Sequence, residues 1–245
     1  MSDELDGLRR DQAAAALLQR RMLPSSPVQL SNIRIDYQLW PASELTGDFV
    51  DVVTRPNSEV VFVVADVAGH GTAAALVTVL LKSFMCRLAE TETVQSRSDP
   101  ALLLEALNAE LLSIKLERHV CALCGVVSAD NSLMLAGAGM SPRPMLHRRD
   151  QPSASVVELS GKAVGLFEDP GYVSTRCELA PGDRLTVVTD GVLEVMSGPN
   201  LPAKEAQLAV AAVQQSQAQF WESLSLSPQA GGPDDLTWFC LERVA

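Results

Sequence analysis

An α+β domain built in layers is the fold class the sequence predicts, on three observations. Short apolar runs of period two cluster in two groups along the chain. Two strongly apolar helical segments separate the groups, and a further helix and a strand close the chain. Runs of strands followed by runs of helices indicate segregated layers rather than alternating βαβ units.

The elements read in order as follows. Residues 4–22 form a helix whose Leu8, Ala15 and Met22 fall seven apart with Leu18 between, one narrow apolar stripe. The stripe suits either a seam with a second helix or a helix lying on its own domain. "PSSP" at 24–27 ends it. Ile33, Ile35, Tyr37 and Leu39 then alternate as in a strand with one buried face. "GDFVDVVTR" and "EVVFVVADV", parted by "PNS", read as a hairpin. "TAAALVTVLLKSFMCRLAE" is apolar nearly all round and predicts a helix buried between layers. A second helix follows at "DPALLLEALNAELLSIKLE", with Asp99 as N-cap and Pro100 in its first turn.

Strands resume at "HVCALCGVVS" and "NSLMLAGAG", joined by "ADN", and continue at "PMLHRR", "SVVEL", "YVSTRCEL" and "RLTVVTD". "LPAKEAQLAVAAVQQSQAQFWESL" predicts one more helix, and "DDLTWFCLERV" the closing strand.

Composition excludes some functions. The chain has 245 residues, 19 of them basic and 30 acidic, for a formal charge of −11. That balance argues against nucleic-acid binding, which rests on Lys and Arg neutralising phosphates. Lys82 and Arg87 interrupt the longest apolar run, so no membrane span is expected, and the polar start carries no secretory signal. Five scattered cysteines predict reduced thiols and a cytoplasmic protein. Cys121 and Cys124 fall on opposite faces of a strand, which suits core packing better than a metal or redox pair.

Aspartates punctuate the strand ends. Asp48 opens one strand, Asp66 and Asp190 end two others, and Asp234 and Asp235 precede the last. A carboxylate at the end of an apolar strand is costly unless solvated or paired. Each Asp alone is a turn former or helix cap. Together, at ends that meet on one rim, they would hold a hard divalent cation.

"LTGDFVDV", "VVADVAGHGTAAAL", "LAGAGMSPRPMLHR", "VGLF", "GDRLTVVTDGVLEV" and "DDLTWFCLERV" occur in an order that resembles the SpoIIE-type branch of the PP2C protein phosphatases. The likeness spans about residues 20–245, and "LLQRRMLP" is similar to the family's entry segment. It implies a β-sandwich of two antiparallel sheets flanked by helices, with a linker or regulatory helix at 1–24 and the phosphatase domain at 25–245. It also implies two Mn²⁺ or Mg²⁺ ions and a water they activate, attacking phosphoserine or phosphothreonine on a STAS-type anti-sigma-factor antagonist.

By the same likeness Asp66 bridges the metals, the Val67 backbone carbonyl binds one of them, and Asp48, Asp190 and Asp234 complete the set, with Asp235 as the neighbouring alternative. His70 either touches the metal-bound water or substrate, or packs and hydrogen-bonds at the turn, the reading favoured. Gly69 and Gly71 would let the chain turn sharply into the following helix. Further implied is an upstream receiver or sensor domain, and the apolar stripe of residues 4–22 leads us to expect a homodimer through that segment. The chain departs from the family in having Thr46 before Gly47-Asp48, glycine in "AGAGM" where relatives carry His or Asn, and no clear counterpart of the phosphate-gripping arginine of the eukaryotic branch. The competing readings are an inactive phosphatase-like module that sequesters a regulator, and a nucleotide phosphate loop at "GHG", which lacks the rest of that motif.

Overall fold

The computed structural model describes residues 2–30, 32–90, 99–130, 132–229 and 232–244. Leu8 of the apolar stripe lies outside the described side chains, and Asn131 of the "ADN" turn lies outside the described residues.

Among the described residues eleven strands form two antiparallel sheets. The first, in spatial order, contains β1 (Val28–Leu30), β2 (Ile33–Trp40), β11 (Leu236–Arg243), β10 (Arg184–Val188), β7 (Met145–His147) and β8 (Ser155–Val156). The second contains β3 (Asp48–Thr54), β4 (Val60–Val67), β5 (Val120–Val127), β6 (Ser132–Ala138) and β9 (Thr175–Glu178). Their inner faces pack together through Ile35, Leu185 and Leu241 on one side and Val50, Leu123 and Leu135 on the other. Phe62 and Phe239 stack across this core with ring centroids 5.1 Å apart.

Helices cover both outer faces. α2 (Thr72–Glu90) and α3 (Pro100–Ile114) lie on the second sheet, where Val61, Val63, Ala65 and Val67 meet Leu81, Met85 and Leu104. The unbroken apolar run of β4 follows, because even positions face the other sheet and odd positions face the helices. Asp99 caps α3 by accepting from Ala101 N at 2.9 Å. Among the described residues α2 is the one helix long and apolar enough, by length and composition, to cross a bilayer despite Lys82 and Arg87, contrary to the expectation from sequence. Here its buried residues are spent on the sheet, and Lys82 Nζ reaches across to both oxygens of buried Asp51 on β3, at 3.0 and 2.9 Å.

On the first sheet lie α4 (Gly191–Val195), α5 (Leu201–Ala211) and α6 (Gln217–Ser223). The single helix predicted over 201–224 is therefore two. Ser216 is extended and caps α6 by accepting from Gln219 N at 3.3 Å, so the chain turns there and Phe220 and Trp221 can reach the sheet. Neither α4 nor β1 was foreseen.

α1 (Ser2–Met22) packs on α2 through Ala16 and Gln19. Leu18, assigned to the stripe, is instead exposed, as is Leu17. Gln19 is the anchor. Its amide donates to Thr46 O at 2.7 Å and Thr78 Oγ1 at 3.0 Å, and its Oε1 accepts from Thr46 N at 3.2 Å.

Candidate functional site

Antiparallel pairing brings Asp48 opposite Asp66, because the hairpin aligns the first residue of β3 with the penultimate residue of β4. Asp190 follows β10 directly before α4, and Asp234 precedes β11, the strand paired with β10. One end of the sandwich therefore collects all four. Asp66, Asp190 and Asp234 line one cleft of about 360 Å³ together with Glu194, His70, His119 and Cys121.

Asp48 lies behind that cleft, 1% exposed. Its Oδ2 accepts from Thr189 Oγ1 at 2.9 Å and Thr237 Oγ1 at 2.6 Å. Its Oδ1 is buried with no hydrogen-bond donor among the described residues. Burial, then repulsion from Asp66, raises its pKa well above the carboxylate range. Asp66 is pushed up to about 7, first by burial and then by Asp190, Asp234 and Asp235. Asp190 is raised too, by burial and by Asp234.

The doublet divides its labour. Asp234 faces the cleft, whereas Asp235 is 5% exposed and accepts from Ala42 N and Gly47 N, both at 2.7 Å. Asp235 thus fixes the loop that leads into Asp48. Gly191 leaves room for this arrangement, since a Cβ there would come within 2.0 Å of Asp235 O. The Val67 carbonyl oxygen lies against Gly47, where a Cβ would approach to 2.9 Å.

Gly69 and Gly71 have φ of 90° and 76°, the left-handed geometry that glycine adopts without cost. His70 between them is exposed and makes no side-chain hydrogen bond among the described residues, so the favoured turn-bonding reading is not the arrangement found. Cys121 is the register partner of Asp66 and lines the cleft instead of packing in the core, while Cys124 is buried beneath α2 and α3. Burial and the neighbouring Asp66 and Asp190 push the Cys121 thiol up to about 11, so it is protonated at neutral pH and a poor nucleophile.

Three contributors were not legible beforehand. Thr189 and Thr237 orient Asp48 from positions far along the chain. Asp235 and Thr237 do share one strand face by their spacing, a signal open to reading. The third, Arg118, donates from Nη1 to Ala68 O at 2.8 Å and lies over Gly69, placing a guanidinium at the edge of the turn.

The donor set suits a hard divalent cation: carboxylates from three segments, a backbone carbonyl nearby, and a buried Asp48 oxygen without a donor. Among the described residues no group of three or more His, Cys, Asp and Glu side chains is drawn together tightly enough to hold an ion as it stands.

Residues 56–244 match the family described as Stage II sporulation protein E (SpoIIE). The chain is 25% identical over 192 residues to the phosphoserine phosphatase RsbP of Bacillus subtilis, covering 76% of this chain and 46% of RsbP. To phosphoserine phosphatase RsbU of the same organism it is 24% identical over 237 residues, 94% of this chain and 69% of RsbU. It thus spans about half the length of RsbP. The SiaA-PP2C domain of Pseudomonas aeruginosa has the same fold, with a TM-score of 0.76 at 22% identity over 99% of each chain. Two antiparallel sheets with flanking helices, the acidic cleft at their shared end and the match over residues 56–244 establish that the chain belongs to the SpoIIE-type branch of the PP2C phosphatase family.

Proposed function

We propose that this chain hydrolyses phosphoserine or phosphothreonine on a STAS-type anti-sigma-factor antagonist, as the output domain of a signalling regulator. The observation that carries the reading is the convergence of Asp66, Asp190 and Asp234 on one cleft, in a chain of a phosphatase family.

Two Mn²⁺ or Mg²⁺ ions are the cofactor this reading assigns, held by Asp66, Asp190, Asp234 and the Val67 carbonyl, with Asp48 behind them. Once bound, such ions activate a water at neutral pH and neutralise charge on the phosphoryl oxygens. The chain's own residues do the rest. Thr189 and Thr237 occupy one oxygen of Asp48 and leave the other, without a donor among the described residues, free to bind an ion. Asp235 holds residues 42–47 so that Asp48 stays opposite Asp66. His70, exposed at the rim, is placed to give a proton to the departing serine or threonine oxygen. Arg118, anchored on Ala68 O, sets a positive charge beside the turn where an anionic substrate enters.

The deciding experiment is phosphate release from a serine-phosphorylated STAS-domain protein with Mn²⁺ added and then chelated, beside Asp66→Ala and Asp190→Ala. Metal-dependent release lost in both variants is the expected result. Metal binding without release from any phosphorylated STAS partner would remove the substrate assignment. Absence of both would favour the inactive binding module.

The reading extends to assembly. Leu17 and Leu18 are 51% and 63% exposed on α1, which suits pairing of residues 4–22 between two chains downstream of a receiver or sensor domain. Light scattering giving the same monomer mass with and without this segment would sink the dimer.

A further inference from the structure

Strands β10 and β11 deliver acids at one end. At the other end they deliver arginines. Arg184 begins β10, Arg243 ends β11, Arg34 is the second residue of β2, and Arg149 follows β7. These four line a cavity of about 480 Å³ with Glu242 as its one acidic residue. At about 3.3 Å per residue, the length of β11 puts this cavity roughly 25 Å from the carboxylate cleft.

Two of the guanidinium groups, those of Arg184 and Arg243, are anchored on backbone carbonyls, and Glu242, the register partner of both Arg34 and Arg184, is one acid set against four arginines. Arg184 is 7% exposed, and its Nη2 is fixed by Val213 O at 2.5 Å and His147 Nδ1 at 3.2 Å. His147 Nε2 is 3.0 Å from Gln151 O, so that nitrogen carries the ring proton and Nδ1 accepts from the arginine. Arg184 Nε is buried without an acceptor, and so is Arg243 Nε, while Arg243 Nη1 donates to Leu179 O. Arg149 is exposed, its stem lies over Gly182, and its guanidinium has no acceptor among the described residues. Arg34 comes only within 3.8 Å of Asp36. Asp183, the nearby buried acid, is already engaged by Arg148 at 2.7 Å and by the backbone N–H groups of Arg149 and Ala180 at 3.0 Å. An excess of guanidinium donors in one concavity, on a chain of charge −11, calls for an anion.

We propose that this pole is a binding site for a compact diphosphate. Planar guanidinium groups match phosphoryl oxygens two at a time, and four arginines against one glutamate in the lining suit the charge of two adjacent phosphates better than one carboxylate. No aromatic side chain lines the cavity, so nothing there stacks a base, and the recognised chemistry is the diphosphate itself. The site stands apart from the proposed hydrolysis and needs none of its residues.

The test is calorimetric titration of inorganic pyrophosphate and, separately, ADP into the whole chain with EDTA present. Without metal the carboxylate cleft repels anions, so binding reports the far pole. Saturable binding weakened at least ~10-fold by Arg149→Ala is expected, since one charge-assisted fork is lost. Amide shifts should fall at Gly182 and Val244 and leave Gly69 unmoved. Tighter ADP than pyrophosphate identifies an organic diphosphate, and the reverse the free ion. Arg149 is exposed, so its variant folds. The combined Arg34→Ala/Arg149→Ala variant checks that the loss deepens. No saturable binding to either probe, equal affinity for sulfate, unchanged affinity in both variants, or shifts at Gly69 would each overturn the site.

Discussion

The two ends of the β10–β11 pair carry opposite charge on the same hydrogen-bonded ladder. At one end Asp190 and Asp234 face Asp66; at the other Arg184 and Arg243 face Arg149. Elsewhere the chain pairs its buried ions. Arg143 binds Glu205 through Nε at 3.0 Å and Nη2 at 2.6 Å, and Glu205 is held below the usual carboxylate range by that contact. The contrast teaches where to look for ligands. Stability favours pairing within the chain, so an end that leaves like charges together is one completed from solution.

The sharpest way to break the comparison is at the acidic end. Asp66→Ala or Asp190→Ala should lower metal-dependent phosphate release roughly 10³-fold, the scale of losing a main electrostatic contact. Thermal melting should show little loss of fold, because both side chains line an open cleft. Asp235→Ala should behave differently from its neighbour. It strands two N–H groups and should cost about 2–3 kcal/mol in denaturant unfolding, whereas Asp234→Asn should keep stability and lose activity.

The pH response sharpens the comparison further. Asp66 is raised to about 7, so through it the native state binds more protons between about pH 4 and 7, and Asp48 shifts in the same direction. Metal-free protein should therefore gain stability as pH falls from about 7.5 to 5, by on the order of 2 kcal/mol after solvent screening. Saturating Mn²⁺ should flatten that slope. The Arg143–Glu205 pair has the opposite sign: its contribution is present at neutral pH and lost as pH falls below the usual carboxylate value. Urea melts of Glu205→Gln should show a deficit of about 1–2 kcal/mol at pH 7 that shrinks toward pH 3. The smallest effect is expected at Cys121→Ser. Its thiol lines the cleft but is protonated, and release should stay within about twofold, as befits a group that donates no charge.

Much of this was legible in the chain. Period-two runs gave the strands, "PNS" the hairpin, and Asp99-Pro100 the start of α3, because each is a local preference acting on local backbone. The carboxylates were legible as a set through their places at strand ends. Less local features escaped. The resemblance pointed to Asp234 rather than Asp235, the one that faces the cleft, but local sequence does not separate them, because the choice depends on the phase at which β11 docks between β2 and β10. Thr189 and Thr237 meet Asp48 across sequence separations of 141 and 189 residues. The break between α5 and α6 is set by a cap at Ser216, in a stretch whose composition alone favours continuous helix. The arginine pole was invisible for the same reason as the threonines, since its members come from four distant segments.

The central position of β11 orders events during synthesis. Until residues 236–243 leave the ribosome, the first sheet is two fragments, β1–β2 and β10–β7–β8, with facing edges that nothing covers. Asp48 likewise waits for Thr237, and the loop before it waits for Asp235. Translation that stops before Asp235 therefore yields a chain with most of its apolar core and no ordered site. Such a fragment would expose strand edges in place of a formed acidic cleft, so an open sheet edge is the built-in failure of an unfinished copy.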